Sequence, residues 1–188
     1  MNITSSRPVC HRLILVSCAL LLAACSGGGA ATLDVNGFGQ KYKLADNEIS
    51  GWTQSTKSDS YAVYTPATLT EKIDGQADPY ITHGMNFTLF QYLVGPDPQN
   101  CTLWAMDFGT EAKAKLMATD RQTTMGASLT VSPYDSSVAM ASQSLSGITV
   151  FAYFKALYLE IVLDGFGSDV DSARQAGVKF LQVMEAKK

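Results

Sequence analysis

The chain predicts an α+β domain: a largely antiparallel sheet with flanking helices, in a single domain. Three observations carry that prediction. Two pairs of strand-like runs, 85–94 with 101–108 and 148–154 with 157–163, are each closed by a short turn. The segment 169–186 repeats apolar residues at steps of three and four, the period of a helix packed by one face. Strands do not alternate strictly with long helices, as a parallel sheet would require.

The chain opens on a different kind of segment. Arg7, His11 and Arg12 precede an apolar region of ten residues, Leu13 to Leu22. A positive start followed by a short apolar run is the build of a secretory signal. At about 1.5 Å per residue the run reaches roughly 15 Å, half of a hydrocarbon core, too short to span a membrane. Leu22-Ala23-Ala24-Cys25 closes it, and Ser26-Gly27-Gly28-Gly29 follows. This resembles the lipobox of bacterial lipoproteins; the bland alternative is a plain signal peptide with a chance cysteine. The resemblance implies cleavage after residue 24, lipidation of Cys25 by fatty acyl chains such as palmitate, and a lipidated tether over 25–31. It also implies anchorage in the bacterial cell envelope, with Ser26 favouring the periplasmic side of an outer membrane in a didermic cell. The domain then covers 32–188. Two or three acyl chains hold a protein where one chain holds only marginally.

Taking the elements in order, Asn36-Gly37 and Asp46-Asn47 are turn signals around Lys41 to Leu44, which reads as a small strand or hairpin. Ile49 to Ser60 reads as loop with Trp52 as a packing anchor. Thr65-Pro66 opens a helix over 66–74, because Thr can cap and Pro gives up an N–H that has no partner in the first turn. Gly75 and Pro79 interrupt, so a second short helix over 77–83 follows, stopped by Gly84. In 85–94, Phe87, Leu89 and Leu93 share one side, and Asn86, Thr88, Phe90, Tyr92 and Val94 the other. Gly95 to Asn100 is a turn. Thr110 caps a helix over 110–124 whose core stripe reads Ala112, Leu116, Thr119 and Thr123. Residues 128–131 and 138–142 are short strands. Ile148 to Phe154 and Leu157 to Leu163 are rich in β-branched and aromatic residues. Ser168 caps the last helix, with Asp171 three residues on, and Val170, Ala173, Gly177, Phe180, Leu181 and Met184 form its stripe. Helices on one face would leave Phe90, Tyr92, Trp104, Phe151 and Tyr153 to line the other.

Without residues 1–24 the chain keeps 164 residues, with 12 basic against 17 acidic side chains, a net charge of −5. That excludes the basic footprint of a nucleic-acid binder. Cys10 and Cys18 leave with the signal, so beyond Cys25 only Cys101 remains. It reads as a buried, inert thiol at the head of a strand.

One polar cluster stands out: Asp74, Asp78 and His83, with Tyr80 between them. Two carboxylates and an imidazole suit a divalent metal or acid–base work. The competing reading makes Asp74 and Asp78 helix caps and His83 an ordinary turn residue, and it is the one adopted, with no metal and no cofactor. No nucleophile elbow, phosphate loop, dinucleotide fingerprint, HExxH or CxxC occurs.

Leu44 to Trp52, then Asp74-Gly75, Ala77-Asp78 and Tyr80, then Asp107-Phe108-Gly109-Thr110 with Ala112 come in that order. Over 44–121 this resembles an uncharacterised family of bacterial exported domains that pairs an Asn-Gly-Gly-Ala-Glu-x-x-Tyr-like segment with a later Asp-Met-Gly-Thr turn. Gln76 stands here for a Gly, Asp78 for Glu, and Tyr80 comes one place early. The resemblance implies a mixed α/β sheet fold and no activity. The expectation is therefore a membrane-anchored envelope lipoprotein with a non-catalytic domain that binds an envelope protein or a small apolar ligand. The alternative is a tethered hydrolase or metal-dependent enzyme using Asp74, Asp78 and His83.

Overall fold

The computed structural model describes residues 33–188; the signal segment, Cys25 and the tether lie outside the described residues. The elements are α1 (Val35–Tyr42), β1 (Thr53–Gln54), β2 (Tyr61–Tyr64), α2 (Pro66–Ile73), α3 (Asp78–Thr82), β3 (Phe87–Val94) and β4 (Asn100–Asp107). Then come α4 (Glu111–Thr124), β5 (Leu129–Thr130), β6 (Ala139–Gln143), β7 (Ile148–Phe154), β8 (Leu157–Asp164) and α5 (Val170–Lys187).

All eight strands join one sheet in the order β1-β3-β4-β8-β7-β6-β5, with β2 also paired to β3. Every pairing is antiparallel. The two expected hairpins form in the expected places. β3 meets β4 with Phe90 opposite Trp104, and β7 meets β8 with Phe151 opposite Glu160. The β7–β8 turn is the two-residue Lys155-Ala156, and Lys155 takes φ 52° to make it. β4 then pairs with β8 and joins the two hairpins.

Because side chains alternate along a strand, the sheet has two apolar faces, and both carry helices. On one face Leu89, Leu93, Leu103, Val150, Ile161 and Leu163 pack with residues of α1 and α5. On the other, Met106, Phe151, Tyr153 and Tyr158 pack with Leu69, Tyr80, Ala114 and Met117 of α2, α3 and α4. The expectation of an open face carrying five aromatic residues is corrected here. Phe151 and Tyr153 are buried, because α4 lies over β6, β7 and β8.

Four local expectations also change. Residues 35–42 form a helix in place of a small strand: Asp34 accepts the Gly37 N–H at 2.7 Å and caps it. Gly39 is needed there, since a Cβ would sit 2.7 Å from both Tyr61 Oη and Val63. Residues 61–64 add a short strand, held in place by β3. The buried side of α4 is Ala114, Met117 and Ala118, while Leu116 is 59% exposed. Small residues let α4 approach the sheet, and the turn of the helix that follows brings Arg121 onto it. Asp169, rather than Ser168, caps α5 by accepting the Ser172 N–H at 3.0 Å. The α5 stripe lies where its periodicity puts it, and Phe180 meets Trp52 edge-on at 5.0 Å between ring centres. None of the described helices is long and apolar enough to cross a membrane.

Candidate functional site

The segment 74–83 does not assemble the acidic site its residues suggest. Asp74 ends α2 with φ 39°, and its backbone N–H, rather than its carboxylate, bonds Thr70 O at 3.2 Å. Asp78 is the first residue of α3, whose cap position is Ala77 and has no side-chain bond. Both carboxylates are exposed and neither makes a cap hydrogen bond, so neither acts as the expected cap. His83 Nδ1 lies 2.7 Å from Pro79 O; a carbonyl can only accept, so Nδ1 carries the proton. Among the described residues no group of three His, Cys, Asp or Glu is placed to hold a metal.

Tyr80, from the same segment, turns the other way and meets a buried carboxylate. Glu160 is 8% exposed in the middle of β8. Its Oε2 accepts from Tyr80 Oη and from Tyr158 Oη, both at 3.0 Å. Arg121 donates to it twice, Nη2 to Oε1 at 3.2 Å and Nε to Oε2 at 3.4 Å. Three elements converge: α3 supplies Tyr80, the last turn of α4 supplies Arg121, and β8 supplies Tyr158 and Glu160 two residues apart on one face. Burial pushes both phenols up, and the charge on Glu160 adds to the shift. Burial works against the charge on Arg121, but Glu160, with Tyr80 and Tyr158, more than offsets it and holds the guanidinium protonated.

This arrangement dictates what the cluster can do. A carboxylate has about four lone-pair sites, two on each oxygen; three donors crowd Oε2 and one sits on Oε1, so three side chains already hold the group. A substrate would have to displace a tyrosine or break the Arg121 pair, at the cost of leaving a buried charge uncompensated. The cluster is a closed network that ties α3 and α4 to the sheet. Its signal in the sequence is the lone carboxylate in Leu157-Tyr-Leu-Glu-Ile-Val-Leu163, which the hydropathy of the strand conceals.

Cys101 is fully buried, and burial, followed by the nearby Asp164 charge, pushes its thiol well up. A thiol in that state carries little thiolate and is a poor nucleophile. A cleft of about 260 Å³ between β5 and α5 holds Asp171 and Arg174, already paired with one another.

What stays open lies beyond the C-terminal end of α4, on the same sheet face. Across the strands, Phe90, Trp104, Glu160, Phe151 and Met140 form one row. Tyr92, Thr102, Val162, Thr149 and Ser142 form the next. Phe90, Trp104 and all five members of the second row are half-buried. Phe90 and Trp104 pack at 4.8 Å between ring centres. Lys72 Nζ lies 5.8 Å from the Phe90 ring centre, and Lys57 Nζ 5.6 Å from that of Tyr92.

No family model matches the chain, so the likeness drawn over 44–121 stays a resemblance. No curated protein matches it either. Among solved structures, the extracellular domain of PknH from Mycobacterium tuberculosis is similar with a TM-score of 0.42 and 11% identity. That alignment covers 72% of this chain and 82% of the other.

Proposed function

We propose that the chain is a lipid-anchored protein of the bacterial cell envelope whose domain is a non-catalytic binding module. Its working surface is the half-open strip of Phe90, Tyr92, Thr102, Trp104, Thr149 and Val162. The observation that carries this is the strip itself: a set of half-buried rings and hydroxyls beside two faces that are otherwise packed under helices. The contacts around Glu160 support a binding role over catalysis, because this buried carboxylate is already held by Arg121 and two tyrosines. Anchorage rests on Leu22-Ala23-Ala24-Cys25, and the acidic domain leaves attachment to the acyl chains.

Two measurements test this. Fatty-acid labelling is expected in the full chain and absent in Cys25→Ala; an unlabelled wild type cleaved elsewhere removes the lipoprotein reading. A photoreactive residue at Thr102 is expected to give a defined adduct in envelope preparations, while one at Leu116, exposed on the outer side of α4, gives none. Equal adducts from both positions, or none from Thr102, would remove the strip as the binding surface.

A further inference from the structure

Resting on that reading of the strip, we propose that its ligand is an anionic polysaccharide lying across the strands. The row Tyr92, Thr102, Val162, Thr149, Ser142 crosses β3, β4, β8, β7 and β6. Four of its five side chains carry a hydroxyl, and none of those hydroxyls bonds another described group. Neighbouring strands lie about 4.8 Å apart, so the row sets out hydroxyls over roughly 19 Å at a step close to one sugar ring in an extended chain. The parallel row supplies Phe90 and the half-buried Trp104, whose ring faces take the C–H side of a sugar. A saccharide needs both kinds of contact, hydroxyls to its edges and rings to its faces.

The charge comes from the rim. Lys57 and Lys72 stand over Tyr92 and Phe90, and neither is among the ion pairs of the described residues. Within the rows the one carboxylate, Glu160, is paired with Arg121 and bonded by two tyrosines; Asp164, beyond Val162, accepts from Ser146 Oγ at 2.7 Å. Lys57 and Lys72 thus bring positive charge to the β3 end of the strip, on a chain whose balance is acidic. A peptide strand is a poorer fit. β4, β8 and β7 are each paired on both sides, so the face has no free backbone ladder to extend.

The test is calorimetric titration of the full chain in detergent with polygalacturonate, dextran and polyglutamate. Binding is expected for polygalacturonate and should weaken with salt, as exposed charge pairs do. Two double variants keep the fold intact, because they alter only exposed or half-buried groups: Lys57→Gln with Lys72→Gln, and Thr102→Val with Thr149→Val. Each is expected to lower affinity about tenfold, the loss of one or two hydrogen bonds or charge contacts. Equal binding of dextran would overturn the charge assignment, and equal binding of polyglutamate would overturn the saccharide assignment. Unchanged affinity in both variants would place any binding elsewhere. If polygalacturonate fails to bind while the Thr102 adduct forms, the ligand class falls and the strip stands; if both fail, the strip falls with it.

Discussion

Glu160 illustrates how much one side chain can commit a fold to. It lies between Trp104 and Phe151 in its row, with two phenols and a guanidinium aimed at it. We expect Glu160→Gln to cost about 3–5 kcal/mol in urea unfolding, because it leaves the Arg121 charge buried without its counter-charge. A loss under about 1 kcal/mol would show that water reaches the pair freely. The phenols add a pH signature. Their folded values are raised, so the stability they contribute is complete below the ordinary phenol value of about 10 and is lost as pH climbs above it. Unfolding measured between about pH 8 and 11 should show a decline in the wild type that is shallower in Tyr80→Phe with Tyr158→Phe. Identical slopes would remove the phenols from the account. None of these partners was legible from spacing. Tyr80, Arg121 and Glu160 are far apart in the chain and meet only through β4–β8 pairing and the rotation of α4. Asp74, Asp78 and His83 are conspicuous because they are close in sequence, yet the turn over 74–77 leaves both carboxylates in solvent.

At the scale of elements, legibility followed turn chemistry. The two long hairpins could be read because Gly95-Pro-Asp-Pro-Gln cannot continue a strand and because β7 and β8 are rich in β-branched and aromatic residues. α5 could be read because its stripe is long. α1 could not, since Gly37 and Gly39 each weaken a helix by about 1 kcal/mol relative to Ala, and the need for Gly39 appears only once Tyr61 lies against it. α4 was found, but its face was misjudged: Leu116 is the larger hydrophobe, and Met117 is the one buried. The side that carries Ala114, Met117 and Ala118 also carries Arg121 to Glu160. We therefore expect Met117→Ala to cost about 2–5 kcal/mol and Leu116→Ala to stay within about 0.5 kcal/mol. The reverse order would return α4 to the stripe suggested by its sequence. Phe180→Ala, at the centre of the α5 packing, belongs with the larger losses, about 3–5 kcal/mol.

For the molecule as a whole, the fold class, the antiparallel pairing and the covering helix α5 were legible, while the second helical layer was not. A helix as polar as α4 shows little amphipathic contrast, so its place over β7 and β8 emerges only from contacts. That second layer reduces the open sheet to a strip and defines the surface to which a function is assigned.

The order of strands has one more consequence. β1, β2, β3 and β4 are contiguous in the chain and occupy one side of the sheet; β8, β7, β6 and β5 are contiguous and occupy the other. α4 and α5 both pack on the second set, and the two sets are joined by the β4–β8 ladder and by Tyr80 reaching across to Glu160. The chain passes between them once, at Gly109, which takes φ 70°. The domain is thus two contiguous halves that meet along the β4–β8 ladder, with Tyr80 on Glu160 at one face and Trp52 on Phe180 at the other, an arrangement suited to fragment complementation. Chains ending at Phe108 and beginning at Gly109, co-expressed, are expected to reassociate, and Glu160→Gln in the second fragment to weaken their pairing. Fragments that assemble equally well with and without that carboxylate would show the backbone ladder to be sufficient.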